Sequence, residues 1–132
     1  QAEVLKRMVK DLFFNVKLRI MPIVREADGL AKSSRNTYLS KSERAAAVIL
    51  NSSLETASML FKVGERSSQK LVEGVKKLIG DEPMAQIDYV EIYALPGLTP
   101  APEVLTKGQY LLALAVKFGT TRLIDNVILE VE

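Results

Sequence analysis

The hydrophobic period of this chain changes at residue 85. Upstream, apolar side chains recur three and four apart, as in Val4, Leu5, Met8, Val9, Leu12 and Phe13, and again in Leu71, Val72, Val75, Leu78 and Ile79. Downstream they alternate, with Val90 and Ile92 on one side and Ile87, Tyr89 and Tyr93 on the other. The first pattern fits one face of a helix and the second fits a strand. A chain that groups helices before strands does not build a repeated βαβ unit. Past its first residues it is expected to pack helices on one face of a mainly antiparallel sheet, an α+β arrangement.

Punctuation residues set the boundaries. Ser40-Lys41-Ser42-Glu43 reads as a capping box, with Ser40 as N-cap and Glu43 reaching back to it. The following stretch, rich in Ala and Leu, is expected to stay helical to about Lys62, with Val63-Gly64 as its C-cap. A second helix starts at Ser67 or Ser68 and closes at Gly80, with Pro83 just beyond. Residues 86–95 read as a strand. Residues 110–118 are apolar on both faces apart from Lys117, which marks a central strand. Gly119-Thr120-Thr121 turns the chain into a last strand over residues 122–131. The stretch 96–102, with Pro96, Pro100 and Pro102, is expected to be a loop within the domain. Two helices on a three-stranded sheet result.

The start reads differently. A helix over residues 2–13 leads to a strand in which Val16, Leu18 and Ile20 alternate with Lys17 and Arg19, until Pro22 ends it or confines it to an edge. This helix–strand unit looks like the tail of an α/β domain. Residues 1–22 are therefore assigned to a remnant of that domain and residues 23–132 to the α+β domain.

Composition narrows the possible functions. The net charge is +2, from 18 cations against 16 anions, with no cluster that would favour nucleic acid or a membrane surface. Tryptophan is absent and other aromatics are few, so a base-stacking platform is not expected. The chain has no cysteine and no histidine. Disulfides, thiolate metal sites and histidine-activated nucleophiles within it are thereby excluded. The lack of cysteine is compatible with the cytoplasm, the expected location.

One stretch gathers chemistry: Asp28-Gly29-Leu30-Ala31-Lys32-Ser33-Ser34-Arg35-Asn36-Thr37-Tyr38-Leu39. Two hydroxyls stand between two cations, and the arginine brings a planar fork that matches phosphate oxygens in pairs. Gly29 permits a tight turn or a close backbone approach. The segment suits a polyphosphate, and it also suits a polar surface loop that caps the next helix.

Residues 22–36, Pro22-Ile23-Val24-Arg25-Glu26-Ala27-Asp28-Gly29-Leu30-Ala31-Lys32-Ser33-Ser34-Arg35-Asn36, resemble the signature of the pantoate–β-alanine ligase family. In that family the Ser-Ser-Arg-Asn element is a variant of the second nucleotide motif of class I aminoacyl-tRNA synthetase-like enzymes. A second block, Phe118-Gly119-Thr120-Thr121-Arg122-Leu123-Ile124-Asp125-Asn126, is similar to the family's closing segment. Lys32 stands where the family usually has methionine.

The resemblance implies an ATP-dependent ligase that activates pantoate as an adenylate and passes it to β-alanine. It implies ATP contacts at Val24, Lys32, Ser33, Ser34 and Arg35, with Ser33, Ser34 and Arg35 stabilising the pyrophosphate. Val24 would act through its backbone beside the nucleotide base, and Gln1 would bind pantoate. Mg²⁺ would share the phosphate charge, with its protein ligands outside this chain. Residues 1–22 would be the end of a nucleotide-binding domain. Gln1 is not an initiator methionine, and the family's histidine-containing nucleotide motif is missing. The chain is therefore expected to be the C-terminal portion of a longer, homodimeric enzyme and inactive alone. A non-catalytic nucleotide- or partner-binding module, or an acyl-adenylating relative with another acid, are the competing readings.

Other polar groups read as structural. Arg122, Asp125 and Asn126 are expected to be a structural cluster, with the Asp and Asn bonding local backbone groups near a strand start. Arg25, Glu26 and Asp28 are expected to form a small ion-pair set, with Asp28 chiefly a turn former before Gly29. Tyr89, Glu91 and Tyr93 are expected to pack along a strand and its solvated edge.

Overall fold

The computed structural model describes residues 24–132. The readings for residues 1–22, Gln1 among them, fall outside the described residues. A short 3₁₀ turn, Ser34–Tyr38, precedes three helices: α1 (Lys41–Ala46), α2 (Ile49–Lys62) and α3 (Ser68–Gly80). Four strands follow: β1 (Ala85–Ala94), β2 (Thr99–Pro100), β3 (Gly108–Phe118) and β4 (Thr121–Val131). They form one antiparallel sheet in the order β2-β1-β3-β4. The class is α+β: α2 lies over β4, and α3 packs on α2 and β1.

The caps form as their chemistry requires. Ser40 Oγ accepts from the Glu43 N–H while the Glu43 carboxylate accepts from the Ser40 N–H, closing a capping box on α1. Ser67 Oγ accepts from the Lys70 N–H at the start of α3. Gly64 follows α2 at φ +117°, and bonds from Gly64 N to Phe61 O and from Glu65 N to Leu60 O complete a Schellman ending.

The single helix expected over residues 41–62 is two. Ala47 and Val48 stay near helical angles, but Leu50 N bonds back three residues to Ala47 O, tightening the turn between α1 and α2. Adjacent β-branched Val48 and Ile49 stiffen side chains where that turn forms.

The sheet departs from expectation twice. Thr99 and Pro100, in the expected loop, pair with Ala94 and Tyr93 and make β2 a fourth strand. Proline is tolerated there because β2 is an edge strand. The second departure is a bulge at Asp88. Ile87 pairs with Val116 and Tyr89 with Ala115, so two steps along β1 match one along β3. That extra residue reverses the alternation, and Ile87 joins the Val90 side rather than the Tyr89 side.

The main core lies between helices and sheet, with Leu50, Leu54, Phe61, Leu71, Val75 and Ile79 facing Leu112, Leu114, Val116 and Phe118. A smaller cluster on the opposite face joins Tyr89, Leu98, Leu111, Ala113 and Ala115, against which Tyr93 packs. β3 is therefore buried on both faces, as its apolar run predicts. Among the described residues no helix is long and apolar enough to cross a membrane.

Leu112 sits at the centre of β3 with no exposed surface. Leu112→Ala is expected to lower the free energy of unfolding by about 2–5 kcal/mol, measured by urea denaturation.

Candidate functional site

The stretch before the helices is built as a small hairpin. Arg25 and Ala31 bridge, and Lys32 N donates to Val24 O at 2.8 Å. Glu26 N donates to Leu30 O at 2.7 Å and Gly29 N to Glu26 O at 2.9 Å, closing a turn over Glu26–Gly29. Gly29 lies at φ +96°, and a Cβ there would strike the Asn51 side chain on α2. The positive φ calls for glycine, and a Cβ would in addition force the Asn51 side chain to shift. Asp28 Oδ1 accepts from Leu30 N at 3.3 Å, the turn-forming role expected of it. Leu30 is buried in the main core and pins the returning strand.

The hairpin is tied to β4 by a long-range ion pair. Arg25 Nη1 and Nη2 donate to Asp125 Oδ2 and Oδ1 at 2.7 and 2.9 Å, a bidentate fork. The Asp125 side chain is 1% exposed and that of Arg25 26%. Asp125 Oδ1 also accepts from Asn126 N at 2.7 Å, and Arg25 Nη1 also donates to Gly29 O at 3.0 Å. The hydrogen bonds that Arg25 donates to Asp125 raise the Arg25 pKa above its ordinary value, against the opposing effect of burial. The expected local set of Arg25, Glu26 and Asp28 is thus corrected. Arg25 turns to Asp125, whereas Asp28 pairs with Arg44 of α1 at 2.9 Å. The carboxylate of Asp28 cannot compete for Arg25, whose fork is already filled by a buried acceptor.

The 3₁₀ turn presents the polar run. Ser33 is its N-cap, and Ser33 Oγ accepts from Arg35 N at 3.1 Å. Asn36 Nδ2 donates to Ala31 O at 3.0 Å, and Thr37 Oγ1 donates to Ser34 O at 2.8 Å. Arg35 Nη1 reaches the backbone carbonyl of Arg122, at the start of β4, at 3.4 Å. Lys32, Ser33, Ser34 and Arg35 are consecutive and all exposed. Lys32 has no side-chain bond among those of the described residues and projects from the surface. Val24 is 67% exposed, not the buried valine its side chain alone would suggest. Its carbonyl is already engaged by Lys32 N.

Two features of the closing block come into the same neighbourhood. Gly119, at φ +65°, turns β3 into β4, and a Cβ there would lie 2.5 Å from Glu43 Oε2 of the α1 capping box. Arg122 Nε donates to Asp88 at 2.9 Å, while Arg122 Nη2 is buried without a hydrogen-bond partner. Asp125 makes the local bond expected of it, to Asn126 N, but its main partner lies 100 residues away in sequence. Sequence reasoning missed the Arg25–Asp125 pair. Its only signal was that a fork-bearing arginine and an aspartate each lie in one of two quoted blocks. Among the described residues no group of three or more acidic side chains could hold a metal ion.

A model of the pantoate-beta-alanine ligase family matches residues 1–128. The chain belongs to the pantoate–β-alanine ligase family. It is 54% identical over 129 residues to the pantothenate synthetase of Pelotomaculum thermopropionicum, covering 98% of this chain and 45% of that protein. Identity to the pantothenate synthetase of Acetivibrio thermocellus is 53% over 131 residues, covering 99% and 46%. The crystal structure of pantothenate synthetase from Thermus thermophilus matches with a TM-score of 0.72 at 34% identity, covering 94% of this chain and 44% of that one. The chain thus spans a little under half the length of these pantoate–β-alanine ligase relatives.

Removing one partner of the fork strands a buried carboxylate. Arg25→Met is expected to cost about 3 kcal/mol in urea denaturation, the low end for a buried pair because part of Arg25 meets solvent. Arg25→Met with Asp125→Leu should recover most of that loss. Arg44 holds the Asp28 carboxyl below its ordinary pKa, chiefly through their hydrogen bond. A carboxyl depressed by folding stabilises above its unfolded pKa, and the contribution is lost as pH falls through the folded value. Arg44→Ala is expected to move the Asp28 titration upward, as followed by carboxyl carbon NMR.

Proposed function

We propose that this chain is the C-terminal part of an ATP-dependent ligase. The enzyme condenses pantoate with β-alanine through a pantoyl-adenylate, giving pantothenate, AMP and pyrophosphate. The observation that carries this reading is the exposed run Lys32–Arg35, held on an anchored hairpin in a member of the pantoate–β-alanine ligase family.

The chemistry asks for donors near the phosphates. A pantoate carboxylate oxygen attacks the α-phosphorus, and the bond to the bridging oxygen of the β-phosphate breaks. Negative charge then collects on the departing pyrophosphate. Donors held in place before the reaction stabilise that charge without reorganising. Arg35 offers a planar fork for two oxygens. Ser33 Oγ accepts from Arg35 N, which leaves its hydrogen to donate outward, and Ser34 adds a second hydroxyl. Lys32 contributes charge at the rim of the same run. Val24, at the hairpin base, faces the nucleotide base through its backbone.

In the second half-reaction the β-alanine amine attacks the adenylate carbonyl, forms the amide bond and expels AMP. Gln1 contributes to pantoate binding, since an amide can donate to a carboxylate and accept from a hydroxyl. Mg²⁺ bound with ATP would share the phosphate charge, with its protein ligands outside this chain. Catalysis needs the rest of the family's length, and this chain alone is inactive. The full-length enzyme is a cytoplasmic homodimer without nucleic-acid or membrane partners.

Titration of the labelled chain with ATP, followed by amide NMR, tests this reading. Shifts are expected at Val24 and residues 32–35 and should be lost in Arg35→Ala. In the full-length enzyme Arg35→Ala is expected to lower kcat by about 100- to 1000-fold. Binding elsewhere on the chain, or binding unchanged by Arg35→Ala, overturns it.

A further inference from the structure

β4 touches the base of the hairpin that carries the polar run, and the run's own last residue. The buried Asp125 carboxylate grips Arg25 at the base of the hairpin with two bonds of 2.7 and 2.9 Å. The Arg122 carbonyl accepts from Arg35 itself. Between these anchors the chain passes through Lys32, Ser33 and Ser34, all exposed and without a core contact of their own. The backbone of β4 is fixed by its ladder with β3, in which Lys117 pairs with Arg122 and Leu114 with Asp125.

A buried ion pair is a poor way to gain stability, because desolvation offsets much of its attraction. It is a good way to fix geometry. A bidentate fork sets both distance and direction, which a single hydrogen bond or an apolar contact does not. Arg25 also donates to Gly29 O, so the same guanidinium fixes the turn opposite the bridge that leads into Lys32.

We infer that Asp125, acting through Arg25, is a positioning residue that holds the run Lys32–Arg35 in the arrangement that receives phosphate oxygens. This rests on the phosphate role proposed for that run. Groups of this kind work only when locked by the residues behind them. Asp125 touches no substrate in this assignment; it sets where Arg35 and the two hydroxyls stand.

The test compares three forms of the chain: unsubstituted, Asp125→Asn, and Leu112→Ala. Asp125→Asn keeps the shape but breaks the charged fork, while Leu112→Ala destabilises the core without touching the hairpin. Each is studied by amide ¹⁵N relaxation and by titration with inorganic pyrophosphate, at a temperature where all three are folded. Asp125→Asn is expected to raise fast backbone motion at residues 32–35 and to weaken pyrophosphate binding about tenfold. Leu112→Ala is expected to leave both within twofold. Arg25→Lys, which keeps the charge but loses the fork, should fall between.

Unchanged motion at residues 32–35 in Asp125→Asn overturns the inference. So does equal loosening in Leu112→Ala, which would reduce the effect to global stability. Absence of pyrophosphate shifts at residues 32–35 in the unsubstituted chain overturns the phosphate assignment itself. That result is separate from the relaxation comparison, which decides the role of the pair.

Discussion

The bidentate pair of Arg25 and Asp125 is the constraint on which the arrangement of the polar run depends. Asp125 lies on the side of β4 that faces the main core, where an unpaired carboxylate would carry a large desolvation cost. Three donors meet it: both Arg25 terminal nitrogens and the Asn126 N–H. Because Arg25 also holds Gly29 O, one guanidinium ties the sheet to the turn. The remaining steps follow locally. Leu30 enters the core, Lys32 N closes on Val24 O, and Ser33 caps the 3₁₀ turn that carries Arg35.

The bulge at Asp88 governs the other side of the sheet. An extra residue in β1 places Asp88 within 2.9 Å of Arg122 Nε, and the Arg122 guanidinium lies 5.9 Å from the centre of the Tyr89 ring. Burial raises the Tyr89 hydroxyl above its ordinary pKa, and the ring faces the cation. The start of β4 is thereby braced by β1, at the residue whose carbonyl meets Arg35. Bulges recur where a side chain must be re-aimed, and this one turns a carboxylate toward Arg122 at the start of β4.

Local chemistry was legible in the sequence, and distant geometry was not. The capping box at Ser40, the Schellman ending at Gly64 and the central strand over residues 110–118 each depend on neighbours within a few positions. The bulge depends on how β1 meets β3, and nothing within residues 85–94 announces it. β2 was hidden by Pro100, which signals a loop unless a partner strand is known to lie at the sheet edge. The Arg25–Asp125 pair spans 100 residues, and Arg25 had two acidic neighbours, Glu26 and Asp28, as nearer candidates. Burial decides that choice: the fork goes to the carboxylate that cannot reach water. At the polar run the sequence showed which residues were adjacent. It could not show that β4 holds both the base of their hairpin, at Arg25, and Arg35 itself.

The exposure of that run bears on the proposed mechanism. Two unit charges 4 Å apart attract by about 1 kcal/mol in bulk water and by about 4 kcal/mol at an effective dielectric of 20. Lys32 and Arg35 as they stand face solvent, the weaker regime. Positioning by Asp125 removes the cost of arranging the donors but does not remove the water around them. A cover over the run would raise the value of each contact several-fold without moving any residue described.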